Sequence, residues 1–183
     1  MDRVLFNDKT KAKELLDLSM KQGIVFLAVC MALVSCLPEA NYPPEPVIAF
    51  QKLDTSSDPT KMYIDFTDGD GNIGLDQSDT LAPYCPDTCI YYYNLFLEYY
   101  ELQSGAWTHI PLDPELGQIP FYYRIPRVEP SGQNPALNGE IKIDMPSYYL
   151  ISNFDTCRFE IHLVDRAFNE SNTVQSNTFV KPF

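Results

Sequence analysis

Cys157-Arg158-Phe159-Glu160-Ile161-His162-Leu163-Val164-Asp165 alternates apolar with polar side chains, and Arg166-Ala167-Phe168-Asn169-Glu170-Ser171-Asn172 follows as a mostly polar stretch. A period of two is the signature of a strand, with Cys157, Phe159 and Ile161 on one face and Arg158, Glu160 and His162 on the other. The polar stretch reads as a loop, and 172–180 as a returning strand. Outward from this hairpin the same test predicts strands over 46–53, 61–67, 90–101, 107–110, 121–128 and 140–145, with 157–165 and 172–180 closing the chain. In 61–67, Met62, Ile64 and Phe66 share one face; in 140–145, Ile141, Ile143 and Met145 do. About eight strands at this spacing, with no convincing helix among them, predict an all-β, antiparallel β-sandwich.

Composition agrees. Fifteen Pro against eight Gly, with 12 Tyr and 11 Phe, lean toward strands punctuated by Pro-containing loops. The chain of 183 residues carries 13 Lys+Arg against 25 Asp+Glu, a formal charge of −12. That balance excludes a nucleic-acid binder, which needs a basic surface to neutralise phosphates.

The N-terminal third of the chain opens differently. From Gly23 to Leu37 it is uncharged and largely apolar, too short for the roughly 20 residues of a transmembrane helix. With Lys21 before it, the run matches a secretory signal. Leu33-Val34-Ser35-Cys36 resembles the lipobox of bacterial lipoproteins, in which the Cys is acylated and becomes the new N-terminus. The expected division is a 1–19 extension or misassigned start, a 20–35 signal peptide, a 36–46 lipidated and extended tether, and a 47–183 domain. Asp2, Asp8, Glu14 and Asp17 set the first segment apart, since acids are unusual at the head of a signal. Acyl chains on Cys36 would hold the protein to a membrane. Leu37 in place of Asp makes the resemblance favour the outer membrane, on its periplasmic or its surface face.

A second resemblance lies at the opposite end. The 159–172 segment is similar to the closing hairpin of bacterial immunoglobulin-like and fibronectin-like domains, an alternating strand followed by D-x-A-G-N-x-S, with Phe168 standing where Gly is usual. Together with Phe66-Thr67-Asp68-Gly69-Asp70-Gly71-Asn72-Ile73-Gly74 and the lipobox, the chain resembles single-domain lipoproteins of the Bacteroidota. The resemblance implies an immunoglobulin-like sandwich in the cell envelope and no particular activity.

Between Lys61 and Arg124 there is no Lys or Arg and there are ten acids. Asp68, Asp70, Asn72, Asp76 and Asp79 have the oxygen spacing of calcium loops, where alternate carboxylates on a turning backbone surround a hard cation. A solvated Asp/Gly/Asn turn is the competing reading. In an immunoglobulin-like sandwich this loop lies at the same end as the 165–171 loop, so Asp165, Asn169 and Glu170 are expected nearby as further ligands or as repulsive neighbours.

Of five Cys, cleavage removes Cys30 and acylation takes Cys36. In the implied topology the strands starting at Cys89 and Cys157 run antiparallel, so Cys85 and Cys89 are expected to pair and Cys157 to be a buried thiol. A zinc site at Cys85 and Cys89 lacks two further ligands. His109 and His162 sit in no nucleophile motif, and a non-catalytic domain is expected. Tyr92, Phe96 and Tyr100 share one strand face; with Trp107 they are a candidate aromatic strip for sugar rings or a protein, unless a loop such as 128–137 covers them. The expected function is a lipid-anchored envelope module for binding or structure, with carbohydrate capture as the alternative.

Overall fold

A computed structural model describes residues 13–24, 42–86, 88–131, 134–145 and 152–181. The chain divides into two compact units, Met1–Glu39 and Ala40–Phe183. In the first, residues 13–24 form an exposed helix that runs through Met20, with Lys21 and Asp17 paired at i,i+4. Among the described residues no helix is long and apolar enough to cross a membrane. The candidate lipidation site Cys36 and residues 25–35 of the expected signal lie outside the described residues.

The second unit is built almost wholly of strand: β1 Val47–Asp54, β2 Thr60–Asp68, β3 Leu95–Gln103, β4 Ala106–His109, β5 Phe121–Tyr123, β6 Leu137–Met145, β7 Thr156–Leu163, β8 Val174–Gln175 and β9 Phe179–Val180. One antiparallel sheet has the order β1-β2-β6. The other runs β4-β3-β7-β8, with β5 also on β3 and β9 also on β7. Alternation decides which side chains turn inward. Met62, Ile64 and Phe66 from β2 and Ile141, Ile143 and Met145 from β6 meet Leu95, Leu97 and Tyr99 from β3 and Cys157, Phe159, Ile161 and Leu163 from β7 in one core shared by both sheets.

Four expectations need correction, the first being the 121–128 strand, which ends at Tyr123. The third strand begins at Leu95, not at residue 90, because Ile90–Tyr92 is a turn of 3₁₀ helix. The last strand is interrupted: Phe159 and Ser176 exchange hydrogen bonds, N–H to Oγ and N–H to C=O, both at 2.9 Å. Pairing with β7 then slips by one residue between β8 and β9, which is a bulge. The expected tether through residue 46 is also too long. Pro46 is fully buried, and Pro43 accepts a hydrogen bond from the Gly69 amide at 2.8 Å, so the chain is already part of the unit there.

Candidate functional site

The inward faces of β2 and β7 do not stop at the last apolar residue. Two residues beyond Phe66, on the same parity, stands Asp68; two beyond Leu163 stands Asp165. The alternation that buries the core therefore carries one carboxylate from each sheet into the interior. Asp68 is 0% exposed and Asp165 3%. Asp70 reaches the same point from the following loop, and one oxygen from each of the three lies within 4.8 Å of the others. At that distance two carboxylates repel by about 3 kcal/mol at an effective dielectric of 20.

The local backbone is built to bring them together. Asp68 Oδ2 accepts the Ile73 amide at 3.1 Å, folding 69–73 back over the strand end. Asp165 accepts both the backbone N–H and the Nδ2–H of Asn169 at 2.8 Å, closing the 165–169 turn on itself. Asn72 Nδ2 donates to Asp70 Oδ2 at 2.8 Å. Two oxygens are left over: Asp68 Oδ1 and Asn72 Oδ1 are buried and have no hydrogen-bond partner. Burial first, and the neighbouring Asp70 charge second, push the Asp68 carboxyl up to about 6.

Glycines let neighbouring backbone close on this loop. Gly71 (φ 68°) and Gly74 (φ 85°) hold left-handed conformations, and a Cβ on either would strike the carbonyl of Pro135 or of Pro126. The contact at Gly74 belongs to a short parallel bridge in which the Leu75 amide donates to Ile125 O (2.9 Å) and the Arg127 amide to Leu75 O (3.1 Å).

That bridge divides the five-residue ligand set expected from spacing. It draws the chain away from the Asp68 pocket at Leu75, so Asp68, Asp70 and Asn72 stay together while Asp76 and Asp79 join a cluster of arginines. Asp79 pairs with Arg166 and also accepts the Asp76 amide at 2.9 Å. Asp76 receives Arg127 at 3.2 Å and Arg166 at 3.6 Å. The Arg166 hydrogen bond holds the Asp79 carboxyl below its ordinary range. Asp165, foreseen as a neighbour, takes the vacated place among the acids; Glu170 instead bridges Val164 through its backbone. Parity was the signal that marks Asp165 in the sequence, because Phe159, Ile161, Leu163 and Asp165 form one unbroken inward series.

The 26 residues between β2 and β3 (69–94) are otherwise pinned by side chains. Arg124 donates to the carbonyls of Tyr92 (2.8 Å), Asp76 (2.7 Å) and Asp79 (3.0 Å). Cys85 and Cys89 form a disulfide, as expected, while Cys157 is a free, buried thiol held 2.8 Å from the Tyr99 hydroxyl. Tyr84 OH donates to Arg166 O at 2.9 Å. Phe168 adopts a left-handed φ of 67°, and its ring packs on Tyr84 and Tyr91 at centroid distances of 5.9 and 4.7 Å. Beside the disulfide an open groove of about 550 Å³ is lined by Ile90, Tyr92, Tyr93, Ile119 and Tyr122.

The aromatic strip is not continuous. Tyr92 belongs to the 3₁₀ turn and the groove, not to the strand face. Phe96 is buried between Tyr122 and His162, at 5.0 and 4.9 Å. Tyr100 and Trp107 share the guanidinium of Arg158, which lies 5.5 and 4.5 Å from their ring centres. His109 bonds Glu98 at 2.9 Å on this outer face, where both side chains keep contact with water. Comparison with family models, curated proteins and solved structures finds no match to this chain.

Proposed function

We propose that the chain is a lipid-anchored protein of the cell envelope whose second unit is an immunoglobulin-like β-sandwich, acting as a non-catalytic binding or structural module. The observation that carries the reading is the 69–94 connection. A segment of that length without regular strands is uncommon in a compact domain and is ordinarily a binding loop. Here it is fixed by a disulfide, by Arg124 on three carbonyls and by Arg166, yet Leu81 and Ile90 on it are 81% and 70% exposed. Rigid backbone that presents apolar side chains to water suits a surface that meets a partner with little ordering to do. The antiparallel β3–β7 pairing and the left-handed turn at Phe168 support the immunoglobulin-like reading. Carbohydrate capture is favoured only at the Tyr92, Tyr93 and Tyr122 groove, since Arg158 occupies the space over Trp107.

A photo-crosslinking residue placed at Tyr93 in intact cells is expected to give a discrete adduct, and one at Ala106, the first residue of β4 beside the far end of β3, none. Equal yield from both positions would contradict a loop-end binding surface. The anchor is tested by palmitate labelling, which Cys36→Ala should abolish; label persisting in that variant would sink the lipoprotein reading.

A further inference from the structure

The buried acid at one end of the core has a counterpart at the other, and only one of the two is neutralised. Glu101 continues the inward parity of Leu95, Leu97 and Tyr99 just as Asp68 continues that of Met62, Ile64 and Phe66. Glu101 meets Lys181 Nζ at 3.0 Å and accepts Tyr99, Ser152 and Gln103 besides. Asp68 has a carboxylate on either side of it, Asp70 and Asp165, and among the described residues none of these three makes an ion pair. The basic residues that reach this end of the unit, Arg124, Arg127 and Arg166, are directed to Asp76, Asp79, Glu129 and backbone carbonyls instead.

A buried charge persists in a fold only when paired or bound to a metal. We infer that Asp68, Asp70 and Asp165, with the Asn72 side-chain oxygen, form a calcium site that ties the loop after β2 of one sheet to the closing hairpin of the other. The unpartnered Asp68 Oδ1, on a side chain with no exposed surface, is the independent sign that an electropositive ligand belongs there, and Asn72 Oδ1 in the following loop is unpartnered too. The donor set is oxygen throughout, which suits a hard cation and disfavours zinc, whose protein sites draw on Cys and His. Three or four protein oxygens leave the remaining positions of a six- to eight-fold shell to water, on the side where Asp70 is exposed. Calcium tolerates such an irregular shell, whereas magnesium requires near-octahedral geometry. The inference does not depend on the lipid anchor or on any partner.

The full chain, purified in detergent, is titrated calorimetrically with calcium chloride, then with magnesium chloride. One calcium per chain is expected, with magnesium at least about 10-fold weaker. Asp70→Asn, at the exposed ligand where folding is least at risk, should weaken calcium by about 100-fold, and Asp165→Asn should do the same. Asp76→Asn, in the arginine cluster, should leave the affinity within about 3-fold, because its partners are cations already present. Absence of binding by the folded wild type up to about 5 mM calcium would overturn the site. So would full affinity retained in Asp70→Asn, or affinity lost equally in Asp76→Asn.

Discussion

Asp68 and Glu101 pose the same physical problem, a charge carried inside by strand parity, and their pH behaviour should have opposite sign. At Glu101, burial works against the charge, but hydrogen bonds from Lys181, Ser152 and Gln103 hold the carboxyl below its ordinary value. Its contribution is present at neutral pH and is lost as pH falls through the folded value. Glu101→Gln should therefore destabilise the protein by about 3–5 kcal/mol in urea denaturation, with or without calcium. At Asp68 the folded carboxyl titrates near 6 against an ordinary 3.8, so the chelated protein binds an extra proton when folded. The stability it contributes is present below about 4 and lost as pH rises through about 6, a difference of about 3 kcal/mol. Asp68→Asn removes this slope: in chelator at pH 7 it should be more stable than wild type, and in calcium less stable. A variant that is less stable under both conditions would mean that Asp68 serves packing alone. Part of this was legible in the residues. The acidic run and the proximity of Asp165 follow from spacing and topology, but the split at Leu75 does not, because it depends on a backbone bridge to Ile125 and Arg127 that has no local sequence signal.

The 69–74 loop shows how an element without periodicity is specified by what closes around it. Gly74 and Gly105 have nearly the same left-handed φ, 85° and 86°, but a Cβ at Gly74 would meet Pro126 O and one at Gly105 meets nothing within 4 Å. Gly105→Ala should lose only the backbone preference, about 1 kcal/mol. Gly74→Ala should lose distinctly more, about 2–3 kcal/mol, because the bridge at Leu75 must also shift. Equal losses in urea denaturation would show that the close approach of 126 contributes nothing. The strands themselves were largely readable, because β2 and β7 alternate along almost their whole length, and β6 from Ile141, with one buried face. Sequence failed where side chains interrupt a strand. The 90–94 aromatics look like the start of β3, yet Asn94 bonds Ile125 from both ends of its amide and fixes the turn there. Ser176 likewise breaks the last strand by bonding Phe159 across the sheet.

In the Ala40–Phe183 unit as a whole, the two ends differ in how they are closed. At one end the buried acid Glu101 is neutralised by the chain's own Lys181. The other end gathers the Pro43–Gly69 hydrogen bond, the acid pocket, the arginine cluster and the disulfide loop. On the calcium proposal that asymmetry would make the ion a stabiliser of the fold and not only a ligand, since it would link β2 of one sheet to β7 of the other. The direct measurement is a thermal melt of the wild-type chain in millimolar calcium and again in excess chelator. At calcium about 100 times its dissociation constant the midpoint should rise by about 5–10 °C, and the rise should vanish in Asp70→Asn. Superimposable wild-type melts in calcium and chelator would contradict the site and leave the three acids as an unrelieved repulsion at the end of the core.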